Sequence, residues 1–329
     1  MKIQTIKCHG SGNDFLIIDE MEKQLPLTEK QRSNLSAALC KRSGELGADG
    51  ILFIQSSNRA DAKMRIFNAD GSEASMCGNG LRCVGRYVSE KLGKAELLIE
   101  TMKADLEVKR SVDSIFGNIP TYQVEISPVY FNSDAMPMHI GKGRLLGEKL
   151  PLLSEELKFS AVAVPNPHLI SLVTAEQLQS DAQRTIAEYV NEPNELFPDG
   201  VNVSFVLMGR EGEIFVRTFE RGVGFTNACG TAMSASSLIT CLLGYNRLEE
   251  EIHVFSDGGK VRCAVHEDAG GQYMIDLIGN ATYVYSASFD FEADSPEEFT
   301  ASILRQYDEQ EEYGELKLQA EQFLSNALA

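Results

Sequence analysis

The sequence predicts an α+β protein of two pseudo-symmetric β-rich halves, each a sheet or barrel wrapped around a central helix, with the functional site in the cleft between them. Two observations predict it. The chain is written twice at an offset of about 150–153 residues, and each copy runs through several strands before one helix. The clearest pair is Met64-Arg65-Ile66-Phe67-Asn68 against Val216-Arg217-Thr218-Phe219-Glu220, each followed nine residues after its last member by Cys-Gly, at Cys77-Gly78 and Cys229-Gly230. Upstream, Ala48-Asp49-Gly50-Ile51 matches Pro198-Asp199-Gly200-Val201, and Asn13-Asp14-Phe15-Leu16-Ile17 matches Asn166-Pro167-His168-Leu169-Ile170.

In order along the chain, Leu16–Asp19, Ile51–Ile54, Met64–Phe67, Leu97–Thr101 and Tyr122–Ile126 read as strands, and Val203–Met208, Ile214–Phe219 and Ile252–Phe255 read likewise in the second copy. Thr28 is an N-cap for a helix to Arg42 that carries apolar Leu35, Ala38 and Leu39. After each Cys-Gly comes a helical stripe: Leu81, Val84, Val88 and Leu92, closed by Gly93, and Met233, Leu238, Cys241 and Leu242, closed by Gly244. The halves are assigned to residues 1–127, completed by about 277–289, and to 128–276, leaving 290–329 as a helical C-terminal extension. In that extension Ser295-Pro296-Glu297-Glu298 has the pattern of a helix start. Phe299, Ile303 and Tyr307 form one apolar stripe and Leu316, Ala320, Phe323 and Leu324 another, which predicts two helices around Gly314.

Charge separates the extension from the rest. The 329-residue chain carries −18, and the last 40 residues hold eleven acids and two bases, so half the net charge lies there. An acidic chain repels phosphate backbones and anionic lipid, which argues against nucleic acid and membrane surfaces as partners. The N-terminus lacks an apolar signal core and no apolar run is long enough to span a bilayer, so the expected compartment is the cytoplasm. Seven cysteines with no Cys-x-x-Cys pair give neither a disulfide framework nor a zinc site, and no metal is expected. The tail should pack on the body or on a second subunit with its acids in solvent, outside the catalytic repeats, and this admits a homodimer.

Cysteine at a helix start has chemical consequences. The first amides of a helix have no intrahelical acceptor, so they bind a carboxylate and favour a thiolate, lowering the cysteine toward neutrality. Gly78, Asn79 and Gly80 leave the backbone bare for such a cradle. If the copies face each other, one cysteine stands on each face of the carbon beside the held carboxylate. That arrangement suits removing a proton from one face and returning one to the other, with one thiolate and one thiol at a time. The other five cysteines read as small buried hydrophobes, and His9 as structural.

The motifs His9-Gly10-Ser11-Gly12-Asn13-Asp14-Phe15, Phe67-Asn68-Ala69-Asp70-Gly71-Ser72-Glu73, Met76-Cys77-Gly78-Asn79-Gly80-Leu81-Arg82, Asn166-Pro167-His168, Val201-Asn202-Val203, Glu220-Arg221-Gly222 and Ala228-Cys229-Gly230-Thr231 resemble those of diaminopimelate epimerase. The resemblance covers about residues 1–288; the acidic extension is atypical for the family, and Phe225 and Pro165 stand where it usually has glutamate and glycine. It implies a cofactor-free isomerase of lysine and cell-wall precursor biosynthesis that turns L,L-diaminopimelate into the meso form. Cys77 and Cys229 would transfer the protons, and His168 and Glu220 would assist their ionisation. Backbone amides of Gly78, Asn79, Gly230 and Thr231 would hold the reacting carboxylate. Asn13, Asn68, Asn166, Asn202 and Arg221 would bind the amino groups and the distal carboxylate. The alternatives are a proline- or histidine-type racemase on the same fold, the isomerase branch of that fold, which lacks the cysteine pair, and a thiol redox or binding protein.

Overall fold

The computed structural model describes residues 1–132, 136–141 and 143–328; residues 133–135, 142 and 329, inside the ranges assigned above, lie outside it. The first copy runs β1 (Lys2–Gly10), β2 (Asn13–Glu20), α1 (Glu29–Leu39), β3 (Gly50–Gln55), β4 (Ala62–Asn68), β5 (Glu73–Ala74), α2 (Gly78–Leu92), β6 (Glu96–Glu100), β7 (Asp105–Arg110) and β8 (Thr121–Ile126). The second runs β9 (Glu148–Lys149), β10 (Lys158–Val164), β11 (Asn166–Val173), α3 (Ala175–Gln179), α4 (Ala182–Asn191), β12 (Asn202–Met208), β13 (Glu213–Glu220), β14 (Gly224–Thr226), α5 (Gly230–Leu242), β15 (Glu251–Ser256), β16 (Gly259–Glu267) and β17 (Tyr273–Asn280). The chain then forms β18 (Thr282–Glu292), β19 (Ser295–Gln306) and α6 (Glu309–Leu328).

Strand pairing repeats element for element. In the first copy β1–β2 is antiparallel, β2–β3 parallel, β3–β4 and β4–β5 antiparallel, β4–β6 parallel and β6–β7 antiparallel. In the second, β10–β11, β11–β12, β12–β13, β13–β14, β13–β15 and β15–β16 follow the same sequence of directions. The parallel crossovers β2–α1–β3 and β11–α3/α4–β12 need a covering helix, and β3 is buried along its whole length accordingly. α1 begins with the capping box Thr28–Gln31, as its sequence predicts, but ends at Leu39 rather than Arg42. The helix that follows each Cys-Gly is central to its half. In α5 every residue from Gly230 to Thr240 is buried, and the hydroxyls of Ser234 and Ser237 are satisfied by carbonyls one turn back. α2 lies so close to β7 that a β-carbon on Gly85 would come within 2.2 Å of Val108. α2 closes on Gly93 in the left-handed conformation, φ +66°, and Gly244 has φ +78° just after α5.

The backbone forms two compact units, Met1–Val124 with Ile278–Glu315, and Glu125–Leu277 with the chain from Leu316 onward. The tail departs from expectation here. The predicted helix start at Ser295–Pro296 is instead the beginning of β19, which lies antiparallel on β18, with Phe289 opposite Ala301. Spacing explains the misreading: residues at i, i+4 and i+8 share one face of a helix, but since those offsets are even they also share one face of a strand. Phe299 and Ala301 pack on the first unit's core beside Phe289 and Phe291. Proline is tolerated at a strand's start, where Pro296 sits. The second stripe is helical, but Gly314 lies inside α6 rather than between two helices. Leu316 and Ala320 are buried, and Phe323 stacks on Phe255 with ring centroids 4.4 Å apart, in the second unit. No helix among the described residues is long and apolar enough to cross a membrane, and no cluster of His, Cys, Asp and Glu there could hold a metal ion.

Candidate active site

Cys77 is the N-cap of α2, with extended backbone (φ −151°, ψ 112°). Its sulfur takes the place of a capping hydroxyl: Sγ accepts the Gly80 amide at 3.4 Å. The thiol donates to Asn13 Oδ1 at 3.6 Å, and Asn79 Nδ2 donates to the same oxygen at 3.3 Å. Asn13 can present that oxygen because its Nδ2 is taken by Asp49 Oδ2 at 2.7 Å. Asp49 shares Arg42 with Asp14, which also meets the buried Lys7 at 2.6 Å. Burial would raise Asp14, but Arg42 and Lys7 outweigh it and hold the carboxyl at about 2, so Asp14 is ionised at any working pH. Below it, the fully buried Arg82 donates to Asn79 Oδ1 (2.9 Å), Ser11 Oγ (3.1 Å) and the Asn280 carbonyl (3.0 Å). Only glycine fits at position 10, where a β-carbon would stand 2.8 Å from that guanidinium and 2.9 Å from the Asn79 carbonyl oxygen.

Cys229 is the N-cap of α5 (φ −115°, ψ 108°). Its thiol donates to the Glu220 carboxylate, which the Thr226 hydroxyl holds at 2.6 Å. The β13–β14 hairpin positions both groups, with Thr218 opposite Thr226 and Glu220 opposite Gly224. Sγ also lies 3.5 Å from Thr231 Oγ1, which is 3.1 Å from His168 Nε2. His168 is fully buried, its Nδ1 has no hydrogen-bond partner among the described residues, and burial lowers its pKa to about 3, so the imidazole is neutral.

The two half-sites differ electrostatically. Burial, and then the Glu220 charge, push the Cys229 thiol well above its ordinary value, against the Thr231 hydroxyl and the Ala232 amide, which favour the thiolate. For Cys229 this runs against the expectation that a helix start brings the thiol toward neutrality. A helix terminus contributes about 0.3–1 kcal/mol, whereas desolvating a charge costs several. Cys77 is only partly buried, and its thiol donates to the neutral amide oxygen of Asn13.

The structure thus brings Asn13, Cys77, Gly78 and Asn79 together in the first half and His168, Glu220, Cys229, Gly230 and Thr231 in the second. Within its own half His168 is linked to Cys229 through Thr231. Asn202, opposite His168 across β11–β12, accepts the Arg221 amide at 2.9 Å, while the Arg221 guanidinium meets the Asp199 carbonyl. Asn166 opens β11, and Asn68 is exposed, with Nδ2 on Ser72 Oγ at 2.9 Å. Phe225 packs edge-on to Phe219 at 5.1 Å, with Arg184 over its outer side. Sequence reasoning missed the supports Asp49, Arg82 and Thr226. Arg82 could have been found, since it lies three residues after Asn79 and so on the same helix face.

The diaminopimelate epimerase family model matches residues 5–117 and 160–284. A diaminopimelate epimerase of Listeria innocua is 49% identical over 326 residues, 98% of each chain, a span that takes in most of the tail. One from Ligilactobacillus salivarius is 53% identical over 288 residues, 86% of this chain and 88% of its own. Among solved structures, a PhzF-family phenazine biosynthesis protein of Bacillus anthracis superimposes with a TM-score of 0.63 at 19% identity, covering 87% of this chain and 98% of that one. A hydroxyproline epimerase of Agrobacterium vitis gives 0.59 at 15% identity, covering 92% and 93%. The two solved structures share the two-half fold; the match to the family model and the identity to the two curated relatives, over frames that include both N-cap cysteines, mean that the chain belongs to the diaminopimelate epimerase family.

Proposed function

We infer that this protein is an isomerase that converts L,L-diaminopimelate to meso-diaminopimelate, in lysine and cell-wall precursor biosynthesis, by two-base proton transfer at one α-carbon and without an organic cofactor. The observation that carries this reading is the cysteine N-cap repeated at equivalent positions of two equivalent halves, each beside first-turn amides able to hold a carboxylate. A thiolate takes the α-proton from one face, and the opposite thiol returns its own proton to the other. One cysteine therefore has to start ionised and the other protonated. Burial and Glu220 suit Cys229 to the protonated part, which leaves Cys77, with the Gly80 amide on its sulfur, to ionise. Thr226 keeps Glu220 in place, and the Thr231–His168 pair supplies a neutral hydrogen-bonded wall beside the same sulfur.

Asn13, Asn68, Asn166, Asn202 and Arg221 form the polar set for the amino groups and the distal carboxylate. A site built to hydrogen-bond such a group rejects a substrate lacking it by about 10⁴-fold or more, because its own polar atoms are left unpaired. Purified protein assayed with L,L-diaminopimelate, lysine, glutamate and proline is expected to show that degree of preference in kcat/KM for the first. Comparable turnover of proline would replace this reading with a proline-type racemase.

A further inference from the structure

The first turn of α6 lies against the elements that build the Cys77 half-site, and the scheme above makes no use of it. Glu309 clamps Arg86 of α2 through two hydrogen bonds of 2.6 and 2.7 Å and accepts the Tyr283 amide at 2.8 Å. The Gln310 amide lies 2.8 Å from His9 Nε2, and the Tyr313 ring meets the imidazole edge-on, with centroids 4.3 Å apart. α6 is thereby fastened both to the helix that Cys77 caps and to the turn between β1 and β2 that delivers Asn13.

Proton inventory settles the direction of these bonds. His9 Nδ1 faces two donors, the Gly12 amide at 3.2 Å and Asn280 Nδ2 at 3.3 Å. A neutral imidazole has one proton, so Nδ1 accepts and Nε2 carries the hydrogen. Burial, against the pull of Asp14, holds the ring at about 4, so it is neutral at working pH. Nε2–H then needs an acceptor, and the oxygen of the Gln310 amide is the end that must meet it. The bonded turn is a demanding one: Ser11 has φ +55° and Gly12 φ +80°, and the Ser11 amide is held by Asn280 Oδ1 at 2.8 Å.

We propose that Gln310 is a positioning residue for proton transfer at Cys77: it accepts the His9 Nε2 hydrogen and holds the imidazole in place, His9 Nδ1 holds the Ser11–Gly12 turn, and that turn places the Asn13 oxygen to which the Cys77 thiol donates. The tail is on this account a working part of the first half-site. The inference rests on the epimerase reading and can fail independently of it.

The test uses full-length Gln310→Ala and Gln310→Glu with α-deuterated L,L- and meso-substrates. Gln310 lies on the exposed side of a helix, where alanine is a favourable replacement, so the variant folds. In a two-base enzyme each direction begins with a different cysteine, so a displaced Cys77 slows one particular proton transfer. Gln310→Ala is expected to lower kcat about tenfold with little change in KM. The substrate isotope effect should rise in the direction in which Cys77 takes the proton and fall toward unity in the other. Gln310→Glu, whose carboxylate still accepts the Nε2 hydrogen, should recover activity to within about threefold of the parent. Unchanged rates in Gln310→Ala, or rates that fall equally with both isotope effects unmoved, would overturn the proposal. A parent protein that exchanges no α-hydrogen at all would instead sink the epimerase reading.

Discussion

Replacing Cys77 or Cys229 by serine is expected to lower kcat about 10²- to 10⁴-fold, the range general acid–base groups supply, while leaving thermal stability unchanged or slightly raised. The substitution separates two roles that one atom plays. As the N-cap of α2, the Cys77 sulfur accepts the Gly80 amide, and serine is a preferred residue at that position, so the helix keeps its cap. As an acid or base, a hydroxyl ionises far too reluctantly to exchange a proton with carbon. At Cys229 the case is sharper, because burial and Glu220 already oppose ionisation of the thiol and would oppose an alkoxide far more. Initial rates in both directions and a melting curve on each variant decide it: normal activity in either would remove that cysteine from the chemistry.

Breaking the Glu20–Arg32 pair is expected to destabilise the first unit by about 3–5 kcal/mol, as removing one partner of a buried ion pair does. Arg32 Nη2 meets Glu20 Oε1 at 2.8 Å, and neither side chain is more than 5% exposed. The carboxylate's remaining capacity is filled by the Leu25 amide at 2.9 Å and Gln55 Nε2 at 2.7 Å, and the guanidinium lies 4.7 Å from the Phe53 ring centroid. Arg32→Met leaves a buried carboxylate whose cation is gone, so denaturant unfolding should show the loss. Arg32→Met with Glu20→Leu removes both charges and should recover most of it. A single variant as stable as the parent would show that the pair contributes nothing. Because these residues lie away from Cys77, the folded fraction of either variant should turn over normally.

Local and periodic signals carried most of the fold. The repeat predicted two halves of one architecture, and the matching pairing of β1–β7 with β10–β16 is the structural form of that duplication. The Thr28 cap and the helices starting at Cys77 and Cys229 were legible because their determinants lie within a few residues of one another. Thr174 and Gln177 form a capping box of the same kind, so α3 was open to prediction and was missed. β19 was misread because its apolar spacing fits both periods, and only pairing with β18 decides between them. The two cysteines and Glu220 could be found from the mirrored offset of nine residues. The Gln310–His9 contact could not, since 301 residues separate its partners and no local pattern joins them. Nor could the upward push on the Cys229 thiol, which comes chiefly from burial that only the folded chain creates.

The central claim is that Cys77 and Cys229 act together to exchange one α-hydrogen, and labelling from solvent tests it most directly. L,L-diaminopimelate is turned over in deuterated water with no added cofactor, and both isomers are analysed by mass spectrometry and NMR early in the reaction. The prediction is one deuterium at the inverted α-carbon of each meso molecule and essentially none in the remaining L,L pool. A meso product that keeps its original hydrogen, or label entering substrate and product at the same rate, would contradict the two-cysteine account.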